Sequence, residues 1–426
     1  MLKRYGLAGY TIGAAAARTG DEMSGPALLL AGLAATGSAA AASALLAGVT
    51  IAAAVGGPFI GALLDRTARP GRLLSAALAG YAAALVAVLG LLGRVPLALT
   101  LAVAVLAGLL GPALAGGWTS QLPRVVTPRT LPRANAYDAM TFNAAGLIGP
   151  ALAGLTAHLA GADAAVVVSA ALVALALPVA LALPPRTGRA APDAGTRPIR
   201  ADLAAGFRAI ARSRPLARAT ATSVVSCTGQ GMLIACAPLL GHQALGGTNQ
   251  GTVLLSAVAL AALVTNALLA RRPAPLAPDA VVGWSTAVLA VALALAATVH
   301  PVAVVAAAVL LGVAEGPQLT AVFAIRHREA PQRLRGQIFT TGASMKLSGF
   351  AVGAAAAGPL ATRSLPLALL TAAAVQLLAL LCHAAWRRPD PFGSHRSSDD
   401  APSRRIDAQV TTEAGEDGHT GVAGER

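Results

Sequence analysis

Arg18, Asp21 and Glu22 lie close together in a stretch that is otherwise apolar. Asp21 and Glu22 follow Arg18 by three and four residues, so on a helix both carboxylates share a face with the guanidinium. One acid can be neutralised by Arg18 while the other binds and releases a proton, or the group is a structural ion pair near an interface. Glu315, immediately before Gly316-Pro317, and Lys346 are also isolated charges in apolar surroundings. An ionisable group placed in hydrocarbon costs about 2.5–3.5 kcal/mol on insertion scales. Both are therefore expected to turn inward, where they pair with each other or meet a ligand. Gln230 and Asn266 are further interior polar candidates for such a site.

The other reactive side chains form no catalytic constellation. Cys227, Cys236 and Cys382 fall inside apolar blocks without ligand spacing. They read as small buried apolar side chains, not as a disulfide framework or a metal site. His158, His242 and His300 fall at segment ends without paired spacing and read as loop histidines, one of which could respond to external pH. The sequence contains no Gly-x-x-x-x-Gly-Lys-Ser/Thr loop, no nucleophile elbow and no His-Glu-x-x-His pair. An ATP-driven pump, a hydrolase and a metalloprotease are all unsupported. No metal, no cofactor and no enzymatic activity are expected.

Composition sets the surroundings of these residues. The 426-residue chain is 56% hydrophobic and 12% charged, whereas about a quarter of a soluble domain is charged. The apolar residues come in blocks of about 20, the length that crosses a hydrocarbon core as a helix. Helices are expected at 6–33, 39–64, 73–93, 95–121, 136–160, 164–183, 219–241, 250–270, 280–299, 301–325, 337–361 and 365–386. Many are rich in Ala and Gly, which lets helices pack closely in lipid. Trp118 and Gln121, at one end of the fourth, read as an interface anchor. The net charge of +14 is spread through the breaks between blocks, and aromatic residues make up 3%. The lipid bilayer, not nucleic acid, is the partner this pattern implies.

With twelve crossings, alternate loops share a side. One side carries Lys3 and Arg4; Arg66, Arg69 and Arg72; Arg124, Arg129 and Arg133; Arg186, Arg189, Arg197, Arg200, Arg208, Arg212, Arg214 and Arg218; Arg271 and Arg272; Arg326, Arg328, Arg333 and Arg335; and Arg387 and Arg388. The other side carries only Arg94 and Arg363. One missed helix would scramble that asymmetry, which places both termini in the cytoplasm of a multi-pass plasma-membrane protein. The first apolar stretch is interrupted by charges and is expected to be retained rather than cleaved as a signal peptide.

The chain divides at its longest internal loop. Residues 184–218 hold Pro184, Pro185, Pro192, Pro198 and Pro215 and many of the arginines. They form a cytoplasmic basic linker between a six-helix bundle at 1–183 and another at 219–388. Part of the linker, from Asp202 to Arg214, suits an amphipathic helix on the inner leaflet. The polar tail at 389–426 is expected to be disordered and cytoplasmic. An internal repeat supports two halves: Thr19-Gly20-Asp21-Glu22-Met23 echoes Thr228-Gly229-Gln230-Gly231-Met232, and Gly111-Pro112 echoes Gly316-Pro317 at nearly the same offset.

After the second helix the chain reads Gly61-Ala62-Leu63-Leu64-Asp65-Arg66-Thr67-Ala68-Arg69-Pro70-Gly71-Arg72. Gly61 permits close helix approach, and Asp65 can pair with Arg72 or face a helix N-terminus. This segment resembles the signature between helices two and three of the major facilitator superfamily, with extra residues between Asp65 and Gly71. The fifth helix holds Asn135, Asp138 and Asn143, followed by Gly146-Leu147-Ile148-Gly149-Pro150-Ala151-Leu152-Ala153-Gly154. Gly149-Pro150 would bend the helix and let another pack closely. It resembles the signature of that family's antiporters, with Ala145 and Ala153 in place of two usual glycines. Arg133-Ala134-Asn135-Ala136 is similar to its siderophore and drug exporters.

The resemblance spans residues 5–388 and implies an all-α integral membrane fold of twelve transmembrane helices in two pseudo-symmetric six-helix bundles. It implies alternating access, a small-molecule substrate and a monomer as sufficient unit. In the family the acid equivalent to Asp65 latches the two halves through the eleventh helix. The expected activity is export of a drug, siderophore or secondary metabolite by proton antiport. Asp21 or Glu22 would carry the proton, Glu315 and Lys346 would shape the cavity charge, and Asp65 with Arg72 would gate the inner side. A nutrient importer or facilitator of the same fold, or a non-transporting scaffold or receptor derived from it, are the alternatives.

Overall fold

The computed structural model describes residues 6–186, 198–247, 249–272 and 276–385. Lys3, Arg4, Arg189, Pro192, Arg197, Arg387, Arg388 and the tail at 389–426 lie outside the described residues. Every regular element among the described residues is helical. In chain order they are α1 (Leu7–Thr36), α2 (Ala39–Arg66), α3 (Pro70–Leu91), α4 (Leu97–Pro112), α5 (Leu131–Ala160), α6 (Ala162–Leu175) and α7 (Leu177–Leu181). Then follow α8 (Ile199–Arg212), α9 (Arg214–Leu245), α10 (Gln250–Ala270), α11 (Pro278–Ala296), α12 (Pro301–Glu329), α13 (Arg335–Arg363) and α14 (Leu365–Ala385).

Among the described residues, ten helical segments are long and apolar enough to cross a membrane, α4 counted with its continuation to Gly117 and α6 with α7. The expected set of twelve is completed by α1 and α13, which match the others in length. Their mean hydropathy is lowered by Arg18, Asp21 and Glu22 in one and by Lys346 and a run of Gln, Ser and Thr in the other. Both crossings thus carry charged or polar side chains that must be placed away from lipid. Large apolar side chains such as Ile12, Ile51, Leu159, Leu260, Val302 and Leu381 stand exposed on the outer surface, as a lipid-facing wall requires.

Helix starts follow local rules. Proline occupies the first or second position of α3, α5, α9, α11 and α12, where its missing N–H leaves no bond unmade. Gly37 and Gly246 close α1 and α9 at φ of 63° and 81°, a left-handed conformation that glycine adopts without strain.

Two large apolar clusters fill the interior. One runs from Tyr10 to Leu183 and the other from Met232 to Ala373. The repeated glycines do the same work in each half. A Cβ on Gly20 would meet the Ser169 carbonyl of α6 at 2.7 Å, and one on Gly229 would meet the Gln376 amide of α14 at 2.9 Å. Gly108 of α4 lies against Val49 and Ala52 of α2, while Gly312 of α12 lies against Val258 and Ala261 of α10. A smaller cluster of Ala139, Phe323 and Phe339 joins residues of both halves.

One sequence expectation is corrected here and another is extended. Trp118 is fully buried and packs under Gly13 and Tyr10 of α1, so it is a core residue and not an interface anchor; Gln121 is buried too. The amphipathic linker segment folds as a helix, α8, as expected, and one of its faces docks on protein. Its Gly206 and Ile210 are buried against Gln337 and the Leu334–Ile338 region, and Asp202 pairs with Arg66 at 2.6 Å. Its outward face carries Arg200, Phe207, Arg208 and Arg212.

Candidate functional site

Arg18 turns away from the acids that follow it. Its guanidinium pairs with Asp138 of α5 at 2.9 Å, donates to the Asp138 carbonyl at 3.0 Å and to the Thr119 hydroxyl at 2.8 Å, and also reaches the Thr141 hydroxyl. The Phe142 ring covers it, 3.7 Å from the guanidinium carbon to the centroid. Asp138 further accepts from Tyr10 at 3.0 Å and from Thr119 at 2.8 Å. Arg18 and Asp138 are almost wholly buried. A desolvated carboxylate with no other cation binds an arginine more strongly than acids that keep some contact with solvent. The expectation that Arg18 neutralises Asp21 or Glu22 is therefore corrected: spacing put them on one face, but the long side chain reaches across to α5.

Asp21 and Glu22 have no ion-pair partner among the described residues. Asp21 is half-buried and accepts from the Tyr81 hydroxyl of α3 at 2.7 Å. Glu22 is exposed, and its Cβ lies against Gly149 of α5, where an added Cβ would come within 2.8 Å. Gly149 is the one glycine of the antiporter-like segment that a neighbour needs. Gly146 and Gly154 face open space and Pro150 is exposed, so the close-packing role expected of that segment is confined to Gly149.

At the end of the molecule where the arginine-bearing loops gather, Asp65 joins α2 to α13. Its carboxylate accepts the Gly336 N–H at 2.9 Å and the Gln337 N–H at 2.8 Å. These are orphan donors of the first turn of α13, at the positive end of its dipole. The cation beside Asp65 is Arg186, at 3.1 Å, and not Arg72. The extra residues after Asp65 let α3 begin at Pro70 with Arg72 on its exposed face. Arg66 is drawn to Asp202 of α8, and Gly71 seats α3 on Ala180 and Leu183.

Glycines bring α13 within backbone distance of its neighbours. Gly57 and Gly61 of α2 lie against Ser344, Thr340 and Gln337, and the Ser344 hydroxyl donates to the Ala53 carbonyl at 2.7 Å. Gly116 lies in a π-helical turn, Ala113–Gly117, that continues α4, and a Cβ added there would come within 2.8 Å of the Thr340 backbone nitrogen. Such turns often mark functional positions. His327 of α12 meets the Asn135 side chain at 2.9 Å and the Thr119 carbonyl at 3.2 Å. The Phe142, Phe323 and Phe339 rings stack across the same junction at 5.6 and 6.0 Å. The arginine-rich end is closed.

In the second half Glu315 and Lys346 are half-buried and within electrostatic reach of each other and of Cys227, without a direct ion pair. Gln230 is half-buried. Asn266 is fully buried between α10 and α12, accepting from Thr320 at 3.0 Å. Gln318 donates to Thr286 at 2.9 Å and to Ser226 at 3.2 Å, and Gln376 donates to the Ser226 carbonyl at 2.9 Å. His158, His242 and His300 are exposed at the opposite end. The sequence reading gave no role to Asp138, Thr119, His327 or Gln318. Of these Asp138 carried a signal, an acid inside a membrane-length helix.

The family model of the Major Facilitator Superfamily matches residues 10–277. No curated protein sequence is significantly similar to the chain. Among solved structures, the human organic anion transporter MFSD10 is similar with a TM-score of 0.73 and 17% identity, over 89% of this chain and 99% of that one. A bacterial homologue of the iron transporter ferroportin in an outward-facing state gives 0.71 and 17%, over 89% and 98%. The proton:xylose symporter XylE gives 0.67 and 11%, over 89% and 95%. At these identities the likeness is one of fold.

Proposed function

The chain belongs to the major facilitator superfamily, and on that premise we propose that it is a secondary active exporter of a small organic molecule, driven by proton antiport through alternating access. The observation that carries this reading is the commitment of Arg18 to Asp138. Two carboxyls of the same helix, Asp21 and Glu22, are thereby left without an ion pair among the described residues and available to a proton. Tyr81 positions the first, and Gly149 brings α5 close to the second. Glu315 and Lys346 supply charge of both signs from the other half.

In this reading residues 1–183 and 219–388 rock against one another. The positive-inside rule makes the arginine-rich end cytoplasmic. Closure there by Asp65, His327 and the phenylalanine rings corresponds to an outward-facing state of a plasma-membrane carrier. The antiporter-like segment around Gly149-Pro150 tilts the direction towards export.

The test is uptake into inverted vesicles with a panel of lipophilic cations, antibiotics and siderophores, run beside Asp21→Asn and Glu22→Gln. Accumulation that requires an inward-acidic gradient, lost in one variant at normal expression, supports antiport and assigns the proton site. Equilibration without a gradient sinks the antiport mechanism in favour of a facilitator.

A further inference from the structure

The closed end holds more guanidinium charge than its carboxylate can match. Asp65 uses both oxygens on the Gly336 and Gln337 N–H groups and on Arg186. Arg186 also donates to the Gln332 carbonyl at 3.0 Å. Arg124, on the short turn that follows α4, and Arg335, the first residue of α13, share the field of the same carboxylate and of Arg186. Neither forms an ion pair among the described residues. Nη1 of Arg124 and Nε of Arg335 are shielded from water and have no hydrogen-bond partner. Burial, followed by the charge of Arg186, pushes the Arg124 guanidinium down to about 10 against the pull of Asp65. Asp202 of α8 pairs with Arg66.

Three guanidiniums around one saturated carboxylate leave two positive charges and at least two donors unmet. Buried donors without acceptors are costly, and planar guanidiniums are suited to forked bonds with carboxylate or phosphate oxygens. The group borders a surface depression through Arg186. The Arg186 N–H donates to the Ala68 carbonyl at 3.0 Å, and Ala68 borders a surface depression lined with Thr67, Arg69, Arg72 and Leu73. Arg69 and Arg72 add two exposed cations at its edge. The site lies at the ends of membrane-crossing helices, the level of lipid headgroups.

We propose that a phosphate-bearing anion binds at the arginine-rich end, held by Arg124 and Arg335 beside the Asp65–Arg186 pair, and fastens the loop after α4 to the start of α13. The chemistry is shared by a lipid phosphodiester and by free phosphate. It does not depend on the transported substrate or on the direction of transport.

The test is the melting midpoint of the purified full chain in neutral detergent. It is titrated with inorganic phosphate, or with phosphatidylglycerol, against chloride at matched ionic strength. Saturable stabilisation by phosphate and by the lipid identifies a free anion site, and stabilisation by the lipid alone identifies a headgroup site. Arg124→Gln and Arg335→Gln are each expected to weaken the apparent affinity about tenfold, the loss of one charge-assisted bond. Arg333→Gln, an exposed arginine nearby, is expected to leave it unchanged. If a glutamine variant fails to fold, Arg124→Lys keeps the charge, removes the fork and is expected to weaken binding. No saturable stabilisation of the wild type, or the same affinity in the folded Arg124 and Arg335 variants, overturns the proposal.

Discussion

The carboxylate of Asp65, the penultimate residue of α2, accepts the backbone N–H of Gln337 in the first turn of α13 at 2.8 Å. The bond joins residues far apart in the chain, one from each half. Because α13 presents its positive dipole end there, a charge at Asp65 serves the contact in a way that a neutral side chain of the same shape would not. Asp65→Asn is expected to populate the opened form. A cysteine placed at buried Thr340 in a chain cleared of Cys227, Cys236 and Cys382 should label from the arginine-rich side at least about fivefold faster in that variant, for about 1 kcal/mol lost. Equal labelling rates would show that the cap does not hold the end closed.

His327 lies in the same closure but bonds different partners, the Asn135 side chain and the Thr119 carbonyl. His327→Leu strips both of a partner, at a cost of about 1–3 kcal/mol for buried polar groups. The Thr340 cysteine is expected to label faster here too. Because the two contacts share no partner, the effects of His327→Leu and Asp65→Asn should add. A double variant no faster than the stronger single would mean that the end opens as one indivisible contact.

The buried pair of Arg18 and Asp138 sets stability. Arg18→Met or Asp138→Asn alone leaves one buried charge uncompensated and is expected to destabilise the fold by about 3–5 kcal/mol. Combining Arg18→Met with Asp138→Leu should recover most of that loss. Asp21→Asn, away from the pair, should leave the melting midpoint within a degree or two of wild type. Singles that melt like wild type would refute the pair as a structural element.

Glycines that look alike in the sequence should respond in opposite ways. Gly61→Val drives a side chain into Thr340 and Gln337 and is expected to abolish transport by keeping α2 off α13. Gly146→Ala and Gly154→Ala meet nothing and should stabilise α5 by about 0.5–1 kcal/mol through helix propensity. Loss of stability or of flux at the latter two would show that the antiporter-like segment has a partner in another state.

The crossings were legible because a span of lipid demands a long apolar block, and the breaks between blocks carry the arginines. Expected and observed limits agree closely, as for α10 at 250–270 and α14 at 365–386 against Leu365–Ala385. The Asp65 contact with the eleventh crossing was also foreseen, through the family signature. What escaped was partner choice. The helical period places Arg18 beside Asp21 and Glu22, but only tertiary packing reveals that Asp138 lies within its reach. For the same reason Arg72 was expected where Arg186 stands. Arg186 comes from a Pro-rich linker with no periodic pattern to aim it. Gly57 and Gly116 were invisible among 45 glycines, because close approach is a property of the neighbour and not of the residue.

The glycine faces against α13 have a further effect. With no side chains to interlock between Gly57, Gly61 or Gly116 and the start of α13, separation there uncovers little apolar surface. What it breaks at those contacts are hydrogen bonds of carboxylate, hydroxyl and backbone groups, each of which water can replace at a net loss of only about 0.5–1.5 kcal/mol, and the apolar part of the closure is left to the Phe142, Phe323 and Phe339 rings. A junction built this way resembles a hinged door on a light latch more than a welded seam. Contacts of this kind add little to the cost of opening, so a bound proton or a bound molecule has less to overcome in deciding between the two positions.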